Sequence, residues 1–300
     1  MRSKVVNKML VSCSALLCLS GFAVAGAWAS PAGASTSVPT APESPTLTSE
    51  VPAADKTIGL EVAADATYAP DEFIASDGTT VIGMDADLAK AIGQVLGLKV
   101  TLTNATFDTI IPALQSGKFN MGASSFTDTK AREKVVDFVD YFQAGEGYYV
   151  KAGSSYKPSG LAALCGHTVS VETGTTEQTD AQTQAKACVR QHKKTVKVLS
   201  FADQSSANLA VSSGRAQVGF ADSQIAEYIV STSNGQFENS GTAFGVAPYG
   251  LALPKSAGLT KPVDGAVAQL MKDGIYLKIL KKWGIQAGAI KQPKINGATS

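Results

Sequence analysis

The ten residues SSFTDTKARE (124–133) carry hydroxyls at Ser124, Ser125, Thr127 and Thr129 and a guanidinium at Arg132. Such a set suits an anion. A carboxylate is held best by the two parallel N–H groups of an Arg, with backbone donors of a helix start beside it. The same residues would also serve as a strand end, a capped turn and a solvated Arg, so taken alone they leave both uses open. A second stretch, SGRAQVGFAD (213–222), parallels the lead-in to the first, SGKFNMGASS (116–125), as S-G-[K/R]-x-[N/Q]-[M/V]-G. Each reads as a helix stop followed by a strand. Ser125 and Asp222 then fall at corresponding carboxyl ends of corresponding strands, where open α/β sheets bind ligands. An acid at Asp222 suits a cation, or the N-cap of a helix over SQIAEYIV. In VETGTTE (171–177), Thr175 and Thr176 after Gly174 read as a nest of backbone N–H groups at a helix start.

Positioning these groups requires alternating strands and helices. TIGLEVA, KVTLT and KFNMGAS read as strands. Between them lie helical patterns over DADLAKAIGQVLG, with Asp85 as cap and Gly97 as stop, and over FDTIIPALQSG. The order recurs in HTVSVETG, a helix from about Thr176, TVKVLSF, DQSSANLAVSSG and AQVGFAD. Strand–helix alternation of this kind predicts right-handed βαβ units and a mostly parallel sheet, built twice. GEGYYVKAG and GVAPYGLALPK are the expected crossings between lobes. Lobe 1 is expected over 55–147 plus 249–290, lobe 2 over 148–248, and a C-terminal tail over 291–300. Two extended crossings permit hinge closure around a ligand.

Charge and composition narrow the partners. Of 300 residues 44% are hydrophobic, enough for one large or two modest cores. The net charge is +1, and without Arg2, Lys4 and Lys8 it becomes 23 basic against 25 acidic residues. A near-neutral chain with no basic run argues against nucleic acid as a partner.

The N-terminus reads as a signal peptide over 1–29: basic MRSKVVNK, an apolar run, then Ala27-Trp28-Ala29 before Ser30. Export follows, with a membrane tether by lipidation or an uncleaved signal as the rival to simple cleavage. LVSC ending at Cys13 has lipobox residue types close behind Lys8, whereas Cys18 follows Leu17, where a small residue is needed. Residues 30–54 are rich in Pro, Ser, Thr and Ala and are expected to be a flexible linker. The mature chain keeps Cys165 and Cys188, which outside the cytoplasm are expected to form one disulfide. His167 and His192 lie nearby, but no metal-ligand spacing supports a site there, so no metal is expected.

Taken together, ATYAPDEF, VIGMDADLAKAI, FDTIIPALQSGK, SSFTDTKARE, VETGTTE, VGFAD and DGIYLKILKKWG resemble the family 3 solute-binding proteins, amino-acid receptors of ABC importers. The resemblance spans about 56–286. It implies a two-lobed, periplasmic-binding-protein-like α/β fold with two crossover hinge strands (type II) that closes on one small ligand. It places the carboxylate-binding Arg on Arg132, with hydroxyl and backbone partners on Ser125, Thr127 and Thr176. The acid that meets the α-ammonium falls on Asp222, aromatic walls on Tyr68 and Phe107, and an acidic pocket position on Asp65. Arg132 is then expected near the first turns of a helix capped around Thr127–Thr129, and Ser124 and Thr175 flank the same strand and helix ends. Glu172 stands where relatives line the side-chain end of the pocket, often without charge. With Asp65 it favours a basic or amide side chain.

The function expected is therefore an extracytoplasmic receptor, secreted, at the cell surface or periplasmic. It would bind a polar L-amino acid and deliver it to permease subunits in the membrane, as a monomer without cofactor. Two other classes compete on the same fold. A dehydratase-like enzyme would need a general acid, for which Glu172 is the candidate. A ligand sensor without a permease would act through a partner in trans.

Overall fold

The computed structural model describes residues 37–255 and 257–299. The expected signal peptide, its cleavage site, and Cys13 and Cys18 lie outside the described residues. Helices α1 (Pro45–Glu50) and α2 (Ala53–Ile58) lead into strands β1 (Leu60–Ala64), β2 (Thr67–Tyr68), β3 (Glu72–Ile74) and β4 (Val81–Ile82). Then come α3 (Met84–Leu96), β5 (Val100–Asn104), α4 (Phe107–Gln115), β6 (Met121–Gly122) and the long strand β7 (Val136–Lys151). The second half holds β8 (Thr168–Glu172), α5 (Thr176–Arg190), β9 (Lys197–Phe201), α6 (Gln204–Ser212), β10 (Val218–Asp222) and α7 (Ser223–Thr232). A second long strand, β11 (Phe237–Pro254), returns to α8 (Thr260–Lys272), α9 (Ile275–Trp283) and β12 (Ala289–Ile295).

Two parallel α/β units share one sheet of order β5-β1-β6-β11-β7-β10-β8-β9, and β12 also pairs with β7. β1 runs parallel to β5 and β6, and β8 runs parallel to β9 and β10. The two crossings β7 and β11 pair antiparallel with each other through both units. Their register slips between Ser240 and Phe244, between Phe244 and Ala247, and between Tyr249 and Gly250. Bulges at these points bend the ribbon where it passes from one lobe to the other. The fold is thus the two-lobed type II arrangement that the strand–helix alternation and the resemblance implied.

Each lobe has its own core. Leu88, Ile92 and Val95 of α3 pack with Leu251, Leu253, Val267 and Leu270 in the first. Val150, Val169, Val171, Val218 and Phe220 form the centre of the second. α3 stops at Gly97, which is left-handed (φ 64°) as expected for a helix end. Its N-cap is Gly83 rather than a side chain, and Asp85 points inward instead. α8 and α9 break at Gly274, and of their apolar residues Leu270 and Leu280 are fully buried while Leu277 is 39% exposed. The disulfide joins Cys165 to Cys188, the latter in the last turn of α5. Closing a 23-residue separation stabilises the folded chain by roughly 3 kcal/mol in the loop-entropy account.

Two expectations change. From Val38 the expected linker is packed: Ala41 and Val51 are buried, and Val38 and Leu47 lie against the first core. The Ala41 N–H donates to Gln94 Oε1 and the Ser44 N–H to the Val95 carbonyl. Its few apolar residues could not order themselves, and α3 and α8 supply the surface that does. Likewise the tail from 291 is largely strand, because β12 adds to the edge of β7.

Candidate functional site

The elements that converge on the cleft do so for local reasons. The SSFTDT loop is pinned to the crossing strand β11: Gly250 N–H donates to Phe126 O, Asp128 N–H to Pro248 O, and Thr127 bridges to Tyr249. Ser125 takes a left-handed backbone (φ 49°), unusual outside glycine, and its N–H is held by Asp85 Oδ2. After this loop no helix forms. Arg132–Lys134 is a single 3-10 turn running directly into β7, because the β-branched and aromatic residues from Val136 favour strand. Arg132 therefore does not stand in the first turns of a helix, as the resemblance implied.

A cavity lies between the lobes, lined by Asp65, Tyr68, Phe107, Ser124, Ser125, Thr127, Arg132, Glu172, Thr175, Thr176 and Asp222, with Glu72 and Glu177. All eleven residues singled out from the sequence are thus brought to one place.

At one end, the Arg132 guanidinium donates to Thr127 O (2.7 Å) and, across the cleft, to Gly174 O (2.9 Å). It lies 5.4 and 5.6 Å from the ring centroids of Phe107 and Phe126, which stack on each other. Gly174 has φ +86°, and a Cβ there would come within 2.9 Å of Asp108 Cβ, so only glycine lets the two lobes meet here. Among the described residues no carboxylate forms a salt bridge with Arg132. Thr127 Oγ1 and Thr176 Oγ1 approach to 3.5 Å beside it. Thr175 caps α5 by accepting from the Gln178 N–H. An unpaired guanidinium, two threonine hydroxyls and the start of a fifteen-residue helix make an anion-accepting corner.

The two serines serve otherwise. Ser124 Oγ accepts from the Asp65 N–H and donates to Glu72, while Ser125 Oγ bonds to Asp71 and Glu72. Their hydroxyls face carboxylates, not the Arg132 corner.

The remaining wall is acidic. Asp222 sits at the N-cap position of α7, yet its side chain caps nothing. Instead its Oδ2 accepts from Tyr68 Oη across the cleft at 2.8 Å. Burial pushes its carboxyl up to about 7, with the Tyr249 and Tyr68 hydroxyls holding it down. Tyr68 is therefore an interlobe partner as well as a wall. Asp65 is buried and accepts from Thr67 Oγ1 and the Phe107 N–H, and burial raises it. Facing it from the other lobe, Glu172 is 2% exposed and pushed up to about 10, first by burial and then by Asp65. Its Oε1 is buried with no hydrogen-bond partner, and so is that of Glu177. Glu177 is raised well above the usual carboxylate range by burial and Asp222. A cavity with one guanidinium and this many crowded carboxylates is electrically suited to a ligand with one anionic and two cationic groups.

Glu72 and Glu177 were missed from the sequence although both stand inside quoted motifs, ATYAPDEF and VETGTTE. Their types gave no signal, since an exposed Glu beside a turn or in a first helical turn is ordinary. Two polar residues outside the cavity are structural: Asn120 bridges Asp55, Gly59 and Glu61, and Gln217 accepts from the Thr168 N–H. No cluster of three or more His, Cys, Asp or Glu placed to hold a metal occurs among the described residues.

Two lobes joined by paired crossing strands, closed over a polar cavity, define a solute-binding protein. The chain belongs to the bacterial extracellular solute-binding proteins, family 3, whose profile matches residues 60–286. It is 32% identical over 238 residues to the arginine-binding protein ArgT of Corynebacterium glutamicum, covering 79% of this chain and 78% of that one. It is similar in structure to an ancestral arginine-binding protein bound to arginine (TM-score 0.69, 37% identity, 75% of this chain and 97% of that one). It also resembles an ancestral amino acid-binding protein described as a precursor of cyclohexadienyl dehydratase (TM-score 0.69, 33% identity, 79% and 99%). No helix among the described residues is long and apolar enough to cross a membrane.

Proposed function

We propose that the protein is an extracytoplasmic receptor that closes on an L-amino acid with a cationic side chain and hands it to the permease of an ABC importer. The observation that carries this reading is the grouping of charges in the cavity: Glu177 and Asp222 act on Arg132, and Asp65 pairs with Glu172 away from it. The ligand carboxylate would take Arg132, Thr127, Thr176 and the start of α5. Its α-ammonium would take Asp222, and its side-chain cation Glu172 and Asp65. Tyr68 and Phe107 would flank the aliphatic part. Two relatives named for arginine agree with this grouping.

A thermal-shift screen against the twenty amino acids and ornithine tests it. Arginine, lysine or ornithine should raise Tm, by about 2.7 kcal/mol of added stability at a hundred times Kd. Glutamine should rank below them, and silence across the whole set would remove the amino-acid assignment. A dehydratase-like enzyme is the second reading, favoured by the Glu172 carboxyl, which burial and Asp65 push up to about 10, as the candidate general acid and by the dehydratase precursor among similar structures. Ligand recovered unchanged from the screen supports the receptor, and turnover to a dehydrated product supports the enzyme.

A receptor of this kind acts best near its permease. Simple cleavage before Ser30 is the expected fate of the leader, with a lipid or a retained leader as the rival. Mass measurement of the mature chain should show a start at Ser30, and an acylated Cys or an uncleaved start would overturn this.

A further inference from the structure

We infer that Gln224 is a closure latch, a positioning residue that couples ligand in the cavity to the joining of the lobes. The inference rests on the cavity being the amino-acid site, but Gln224 does not line it. Gln224 stands on the first turn of α7, in the second lobe, and is 9% exposed. Its side-chain amide donates both protons: one to Asp71 Oδ2 in the first lobe (2.9 Å), the other to Tyr249 Oη on the crossing strand β11 (2.9 Å). Each acceptor leads to a cavity residue. Asp71 Oδ2 also accepts from Ser125 Oγ (3.0 Å). The Tyr249 hydroxyl, whose own proton is left free by the Gln224 bond, helps hold down the Asp222 carboxyl.

A single amide thus ties Asp71, and through it Ser125, in one lobe to Tyr249 on the strand that bends between them, beside Asp222 of the other lobe. Asp71 and Tyr249 are both fully buried. Opening the cleft would strip Asp71 of its Gln224 donor, and Asp71 Oδ1 already lacks a partner. Direct interlobe bonds such as Tyr68 to Asp222 compete with the ligand for the same carboxylate. The Gln224 bonds do not, so they add to ligand binding instead of being exchanged for it.

The test compares wild type with Gln224→Met, which keeps the volume but loses both donors, and Gln224→Glu, which sets a carboxylate against Asp71. Dissociation of L-arginine and L-lysine is followed by stopped flow, and ligand-free protein by melting and small-angle X-ray scattering. Gln224→Met should speed dissociation about 10- to 100-fold, the span of ordinary coupling between sites, by one common factor for both amino acids. Association and ligand-free Tm should change little. Gln224→Glu should lose more and move the ligand-free molecule to a larger radius of gyration. Unchanged dissociation overturns the latch. So does a ligand-free Tm that falls in step with affinity, which is mere structural support, or a different factor for the two amino acids, which means ligand contact. If wild type binds neither amino acid, the proposed function fails. The scattering comparison then decides the latch alone, and identical curves overturn it.

Discussion

Arg132→Ala should cost roughly 2–5 kcal/mol of amino-acid affinity, the penalty for leaving a buried charge without its partner. The guanidinium spends two donors on the carbonyls of Thr127 and Gly174 and is braced by Phe107 and Phe126. It is thus held in place before the ligand arrives, and the remaining N–H groups are oriented at no further entropic cost. Truncation removes the fork and the bridge to Gly174 together, so both binding and closure suffer. Arg132→Lys restores a point charge without the planar pair of donors and should recover only part of the loss. Calorimetry reads both variants. Unchanged affinity in Arg132→Ala would take this residue out of the site. Little change is expected in ligand-free stability, since the side chain is half-buried and bonds only backbone carbonyls.

Glu172→Gln should weaken arginine by about 1.5–3 kcal/mol, the range for a hydrogen bond to a charged group, and glutamine hardly at all. An equal loss for both would refute the assignment of Glu172 to the side-chain cation. The variant also has a pH signature. Burial and Asp65 raise the Glu172 carboxyl to about 10 in the closed, empty cavity. A raised acid favours the closed empty form below the ordinary carboxylate range, and that contribution is lost as pH rises towards about 10. Protons and the ligand cation are therefore alternatives at this carboxylate. Lowering the pH from about 8 to about 5 should weaken arginine binding in the wild type. The Glu172→Gln variant should show a flatter profile, its remaining slope coming from groups such as Asp222, raised to about 7. Parallel profiles in the two proteins would show that Glu172 does not exchange its proton for the ligand.

The local pattern of the chain determined much of this protein. Strand–helix alternation, the stop at Gly97, and the paired ends at Ser125 and Asp222 follow from short-range preferences. Hydrophobic period and turn chemistry act within a few residues and so can be read directly. The eleven residues singled out reach one cavity because strand ends of parallel sheets converge on one side whatever the details. What the tertiary structure alone decided is which way each polar group faces. Ser124 and Ser125 looked like anion donors, yet their hydroxyls meet Glu72 and Asp71. Arg132 looked helical, but the pull of β7 leaves it on a 3-10 turn. Residues 37–54 looked like a linker, and the groove of α3 and α8 orders them. The Gln224 path joins residues 153 and 25 positions away from it. Burial, pairing and shifted acidity arise between groups distant in sequence, and only the folded chain sets those distances.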